Sequence, residues 1–102
     1  MKTLVTISTF MSSFAGANGF TYSHWPYSAS KAALNYIMLS YADANPDITS
    51  ALIHPGWLQT DMGGPHATMT AEESAQNIYN LITNNQLKPN HLTDSNGEVI
   101  PF

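Results

Sequence analysis

Two short β-rich runs, Thr3–Ser8 and Ile48–His54, stand apart with a helix-length stretch between them, and this spacing constrains the fold more than any other feature. The second run is bounded by Asn45-Pro46-Asp47 before it and Pro55-Gly56 after it, the punctuation expected at element ends. Its centre, Ala51-Leu52-Ile53, is continuously apolar, as in a strand covered on both faces. Strands of this kind separated by a helix read as parallel neighbours joined by a right-handed crossover. In the intervening stretch Thr9–Tyr22 is a loop, Ser23 is placed to cap a helix, and Pro26 is tolerated in its first turn. That helix runs to about Ala44, where Asn45-Pro46 stops it.

Trp57–Met69, with Gly63-Gly64-Pro65, reads as irregular. Thr70-Ala71-Glu72-Glu73 is a capping box that opens a second helix, with Ala75, Ile78, Tyr79 and Ile82 as its apolar stripe and Asn84-Asn85 as its end. Leu87–Phe102 reads as a short terminal strand pair around Asn96-Gly97. The order is strand, helix, strand, helix, strand, an α/β chain forming one small domain over residues 1–102.

Charge narrows the partners. Only 10% of the residues are charged, against a typical quarter, so part of the surface is expected to be covered by other protein. The net charge of −4, with three basic residues in all, offers no patch for a nucleic-acid backbone. With no cysteine, neither a disulfide nor a thiolate metal site can form. The four histidines, His24, His54, His66 and His91, have no metal-ligand spacing, so no metal is expected. No run approaches the ~20 apolar residues of a membrane helix, and the N-terminal apolar stretch is too short for a signal peptide. A cytoplasmic protein with no membrane partner is the expectation.

Chemistry concentrates at Tyr27 and Lys31 in Tyr27-Ser-Ala-Ser-Lys31-Ala-Ala-Leu-Asn35. Residues four apart on a helix share a face. A cation beside a phenol favours the phenolate, which suits the pair to giving a proton to a carbonyl oxygen or taking one from an alcohol. The same spacing occurs on solvated helix faces, so its neighbours decide. Ile7-Ser8-Thr9, Tyr27–Lys31, Pro55-Gly56 and Thr60-Asp61-Met62-Gly63-Gly64 follow one another at strand ends, where open parallel sheets gather their functional loops.

Together with His54-Pro-Gly-Trp-Leu-Gln-Thr-Asp-Met-Gly-Gly-Pro65, Thr70-Ala-Glu-Glu-Ser74 and the closing Asp94-Ser-Asn-Gly-Glu-Val-Ile-Pro-Phe102, these residues resemble the C-terminal half of a short-chain dehydrogenase/reductase. The likeness is nearest to the C-factor and sniffer-like carbonyl reductases. It implies the C-terminal half of a Rossmann-like parallel sheet, and an oxidoreductase that reduces a small carbonyl substrate with NADP or NAD, NADP being slightly favoured. By that resemblance Tyr27 is the general acid/base, and Lys31 supports it and binds the nicotinamide ribose. A hydroxyl at the end of the first strand hydrogen-bonds the carbonyl oxygen. Thr9 is the first choice for it, with Ser8 beside it and Ser12 and Ser13 nearer the usual spacing from Tyr27. Pro55, Gly56, Trp57 and Thr60 match the segment that lies against the nicotinamide, whereas Asp61 reads as the cap of the following turn. Trp25, Tyr22 and Trp57 could line a substrate pocket, but they read at least as well as buried packing.

The family's glycine-rich cofactor turn has no counterpart, because no Gly-x-x-x-Gly-x-Gly occurs and Gly16 and Gly19 follow the wrong strand. The family's helix-borne catalytic asparagine and its NAD/NADP selector are missing too. The expectation is a chain that begins at the family's fifth strand, inactive alone, with Thr3–Ser8 left as an apolar sheet edge. The competing expectation is a non-catalytic remnant acting as an interaction or homodimerisation module through the Tyr27–Lys31 helix, with Ala33, Tyr36, Ile37 and Ser40 as its face.

Overall fold

The computed structural model describes residues 2–13 and 24–102. Strands β1 (Lys2–Ile7), β2 (Ile48–His54), β3 (Leu92–Asp94) and β4 (Val99–Ile100) form one sheet in that spatial order. β1 pairs with β2 and β2 with β3 in parallel, and β4 returns antiparallel on β3. Helices α1 (Trp25–Ala44) and α2 (Ala71–Thr83) supply the two parallel connections. The expected α/β order is thus the observed one, and β1 lies at the sheet edge.

β2 sits where its sequence demands. Ala51, Leu52 and Ile53 are buried, and Leu92 of β3, Leu81 of α2, Ala42 of α1 and Ala67 join them in the core of the described residues. Fully covering Leu52, Ile53 and Leu92 is worth about 1.5–3 kcal/mol each, so this short strand pair is a large part of the folding energy. β1 is only half covered, and Ile7 remains half exposed.

The helix ends follow local chemistry. Pro26 lies in the first turn of α1, and the N-cap position belongs to His24, whose side chain makes no capping bond; Ser23 lies outside the described residues. At the other end Asn45 donates its backbone N–H to the Ala42 carbonyl and its side-chain amide to the Tyr41 carbonyl, at 3.2 and 2.8 Å. These bonds satisfy carbonyls that a helix end leaves open. The Thr70 hydroxyl caps α2 by accepting from the Glu73 backbone N–H at 3.1 Å, with Glu72 and Glu73 in the favourable first turn. The β3–β4 turn closes on Asp94, whose carboxylate accepts from the backbone N–H groups of Asn96 and Glu98 at 2.9 and 3.0 Å. No helix is long and apolar enough to cross a membrane among the described residues.

One expected face is wrong. In α2 the buried residues are Ser74 and Leu81, whereas Ala75, Tyr79 and Ile82 are exposed and Ile78 is half-buried. Ser74 can occupy the inward position because its hydroxyl donates to the Pro55 carbonyl at 2.6 Å.

Candidate active site

Parallel pairing carries β1 and β2 to a common end. Ile7 is in register with Ile53, and the next residue, Ser8, donates its backbone N–H to the Ile53 carbonyl at 2.7 Å. The hydroxyl-rich turn Ser8–Ser13 and the Pro55-Gly56 turn therefore start side by side. Across this junction Phe10 meets the His54 imidazole edge-on, 5.0 Å between ring centres. His54 Nδ1 is buried with no hydrogen-bond partner among the described residues. Burial pushes the imidazole below its ordinary range, and Asp94, in register with it on β3, pulls weakly the other way.

The hydroxyls at this end are sorted by their bonds. Ser8 donates to the Asn35 Oδ1 at 2.6 Å, Ser12 donates to the Thr9 carbonyl at 2.6 Å, and Ser13 donates to the Pro101 carbonyl. Thr9 Oγ1 accepts from the Met11 N–H at 3.2 Å, which forms the 3-10 turn Phe10–Ser12. Its own proton has no acceptor among the described residues. Asn35 is a site residue that motif reading passed over. It lies two turns beyond Tyr27 and one beyond Lys31 on α1, and that spacing was the available signal.

Tyr27 and Lys31 do share a face of α1: the ammonium stands 6.0 Å from the centre of the phenol ring, and the tyrosine is 42% exposed. After β2, Gly56 takes a φ of +108°, in the left-handed region that side chains avoid, and so turns the chain sharply off the strand. The segment from Trp57 to Met69 is less irregular than expected, because Leu58 bridges Met69 and the Gln59 N–H reaches the Met69 carbonyl at 2.8 Å. Thr60 accepts from the Gly63 N–H at 3.2 Å, so the turn-capping role expected of Asp61 falls to its neighbour. Trp25 and Trp57 are both exposed, which overturns their reading as buried packing; Tyr22 lies outside the described residues. Trp57 is held instead by its indole N–H, which donates to the Gly63 carbonyl at 2.8 Å.

Known proteins resemble this chain in sequence and in fold. C-signal of Myxococcus xanthus is 40% identical over 83 residues, a match covering 76% of this chain and 49% of C-signal. A short-chain dehydrogenase/reductase from Burkholderia multivorans with bound NADP superposes with a TM-score of 0.82 at 26% identity, over 98% of this chain and 44% of its own. This chain is a relative of the short-chain dehydrogenase/reductases. The carbonyl reductase Sniffer of D. melanogaster superposes at a TM-score of 0.79 and 27% identity, over 98% of this chain and 41% of its own. No protein-family model matches. The chain thus spans about half the length of C-signal and less of the two solved enzymes, and its sheet corresponds to part of their Rossmann-fold domain.

The donor set suits one end of a nicotinamide dinucleotide. The Tyr27 phenol, the Lys31 ammonium and the hydroxyls of Thr9 and Thr60 are donors of the kind that a ribose diol and a reacting carbonyl accept. No Gly-x-x-x-Gly-x-Gly turn occurs in the sequence to cradle a diphosphate.

Proposed function

We propose that this chain supplies the proton-transfer half of an NADP(H)-dependent carbonyl reduction, and that the cradle for the dinucleotide phosphates comes from polypeptide additional to these residues. The observation that carries the reading is the meeting of two strand ends beside a helix bearing Tyr27 and Lys31, with Thr9 holding the one hydroxyl proton of the four candidates that is uncommitted among the described residues. The NADP bound by the Burkholderia relative favours NADP(H) over NAD(H). Pro55, Gly56, Trp57 and Thr60 are assigned to the nicotinamide side.

When bound, the reduced nicotinamide supplies the hydride. Tyr27 gives its phenolic proton to the carbonyl oxygen of a small aldehyde or ketone and regains one from solvent, to which its ring is open. Lys31 keeps a positive charge on that helix face while the phenolate exists, and its remaining donors suit ribose hydroxyls. Thr9 donates to the same carbonyl oxygen as negative charge develops on it. Ser8 is the adjoining residue and serves the turn.

The test is a fusion. NADPH titrated into the chain alone is expected to give no saturable binding. Placing in front of Met1 the part of C-signal that precedes the matched region is expected to restore binding and turnover on small aldehydes and ketones. In that fusion Tyr27→Phe should lower turnover ~10²–10⁴-fold with NADPH affinity unchanged. Full turnover by the phenylalanine variant would refute the role of Tyr27, and tight binding by the chain alone would refute the division of labour.

A second reading, an interaction module, has its own support. Ala33, Tyr36, Ile37 and Ser40 are all exposed on α1, with Tyr36 at 76%, so this face does not serve the chain's own core.

A further inference from the structure

A buried side-chain amide in mid-helix is costly unless each of its polar atoms finds a partner. Asn35 is 3% exposed, and α1 buries only one other residue, Ala42. Both ends of its amide are used. Oδ1 accepts the Ser8 hydroxyl proton at 2.6 Å, and Nδ2 donates to the Ser12 oxygen at 2.7 Å. Ser12 passes its own proton to the Thr9 carbonyl at 2.6 Å. One amide thereby holds the residue before Thr9 directly and Thr9 itself through Ser12.

We propose that Asn35 is a positioning residue for the Thr9 hydroxyl, fastening the strand-end turn to the helix that carries Tyr27 and Lys31. The clamp has a direction. Accepting from Ser8 engages that proton, and donating to Ser12 leaves the Ser12 proton for the Thr9 carbonyl. Both neighbouring hydroxyls are thus withdrawn as donors, and Thr9 keeps the proton that faces no acceptor among the described residues. An amide accepts from one hydroxyl through Oδ1 and donates to another through Nδ2 at once. An aspartate at this position can only accept, so Ser12 would turn its proton to it and release the Thr9 carbonyl. A leucine would do neither. The proposal rests on the functional reading above only in what Thr9's proton is for.

The test is nuclear magnetic resonance on the 102-residue chain, without cofactor. The Asn35 side-chain amide protons are expected to exchange with solvent at least tenfold more slowly than those of exposed Asn96. Three-bond couplings to the Thr9 methyl carbon are expected to show a single χ1 rotamer. Asn35→Leu should average that rotamer, and so should Ser12→Ala, which leaves α1 untouched and serves if the leucine variant does not fold. Ala42→Gly, which weakens α1 at its other buried position, should leave the Thr9 rotamer alone. An Asn35 amide exchanging as fast as Asn96, or a Thr9 rotamer unmoved by Ser12→Ala, overturns the proposal. In the fusion, Thr9→Val should lower turnover at least tenfold while preserving the slow Asn35 amide. Unchanged turnover would overturn the catalytic use of Thr9 even with the clamp intact, which separates the two failures.

Discussion

Gly63→Ala probes whether the loop after β2 is built around an approach that only a residue without a side chain permits. A Cβ at Gly63 would lie 1.8 Å from the Leu58 carbonyl oxygen and 3.0 Å from its carbon, with Trp57 Cδ1 at 3.4 Å. The two nearest atoms are backbone, so no rotamer change relieves the clash. Carbon and carbonyl oxygen settle at roughly 3.3–3.6 Å, so the chain at this point must retreat by roughly 1.5 Å. Two hydrogen bonds depend on its present position, from the Trp57 indole to the Gly63 carbonyl at 2.8 Å and from the Gly63 N–H to Thr60 Oγ1 at 3.2 Å. Losing both, at about 0.5–1.5 kcal/mol each, costs about 1–3 kcal/mol. In a chain of this size that lowers Tm by roughly 5–20 °C. The assay is thermal unfolding combined with Trp57 emission in a Trp25→Phe background, which leaves one tryptophan. The Trp57 spectrum should move towards that of free indole, and Trp57→Phe, which removes only one of the bonds, should lose less stability. An alanine variant with unchanged Tm and an unchanged Trp57 spectrum would show that the approach is not what shapes the loop.

Two further outcomes follow from the same structure. His54 has a lower pKa folded than unfolded, so its neutral form stabilises the fold fully above the ordinary imidazole value of about 6.5, and that contribution is lost as pH falls towards the folded pKa. Urea midpoints should therefore fall more between pH 7.5 and 5.5 for the native chain than for His54→Gln, and an equal fall in both would remove the effect from His54. If the exposed face of α1 joins two copies, sedimentation should show a dimer that Ile37→Glu converts to monomer; a wild-type chain that stays monomeric at high concentration refutes the interaction reading.

Much of the fold was legible because its signals are local. Ile48–His54 was placed to the residue by the Pro-bearing stop before it and Pro55-Gly56 after it, and the Thr70 cap by its spacing to Glu73. The inward face of α2 was not, because hydrophobicity ranks Tyr79 and Ile82 above Ser74. Ser74 goes inside on account of an acceptor, the Pro55 carbonyl, that is 19 residues away and invisible to periodicity. At the site, Tyr27 and Lys31 announce themselves by spacing, but the choice among Ser8, Thr9, Ser12 and Ser13 depends on where each proton goes. That information lies in tertiary partners, Asn35 and Pro101, so the sequence left the four open.

The parallel register has a kinetic consequence. Every β1–β2 pair, from Lys2↔Ile48 to Ile7↔Ile53, joins residues 46 positions apart, and Leu52↔Leu92 spans a comparable length of chain. Helical turns form within about a microsecond, but neither strand pairing is rewarded until a long loop has closed. Folding of such a chain belongs at the slow end, in milliseconds to seconds, with β2 waiting for partners on either side. During that interval Leu4, Val5 and Ile7 form an unsatisfied ribbon with little charge nearby to repel another copy. Intramolecular closure then competes with association between chains, and the balance tips with concentration. The yield of native protein is set as much by how dilute the chain is while it folds as by how stable it is once folded.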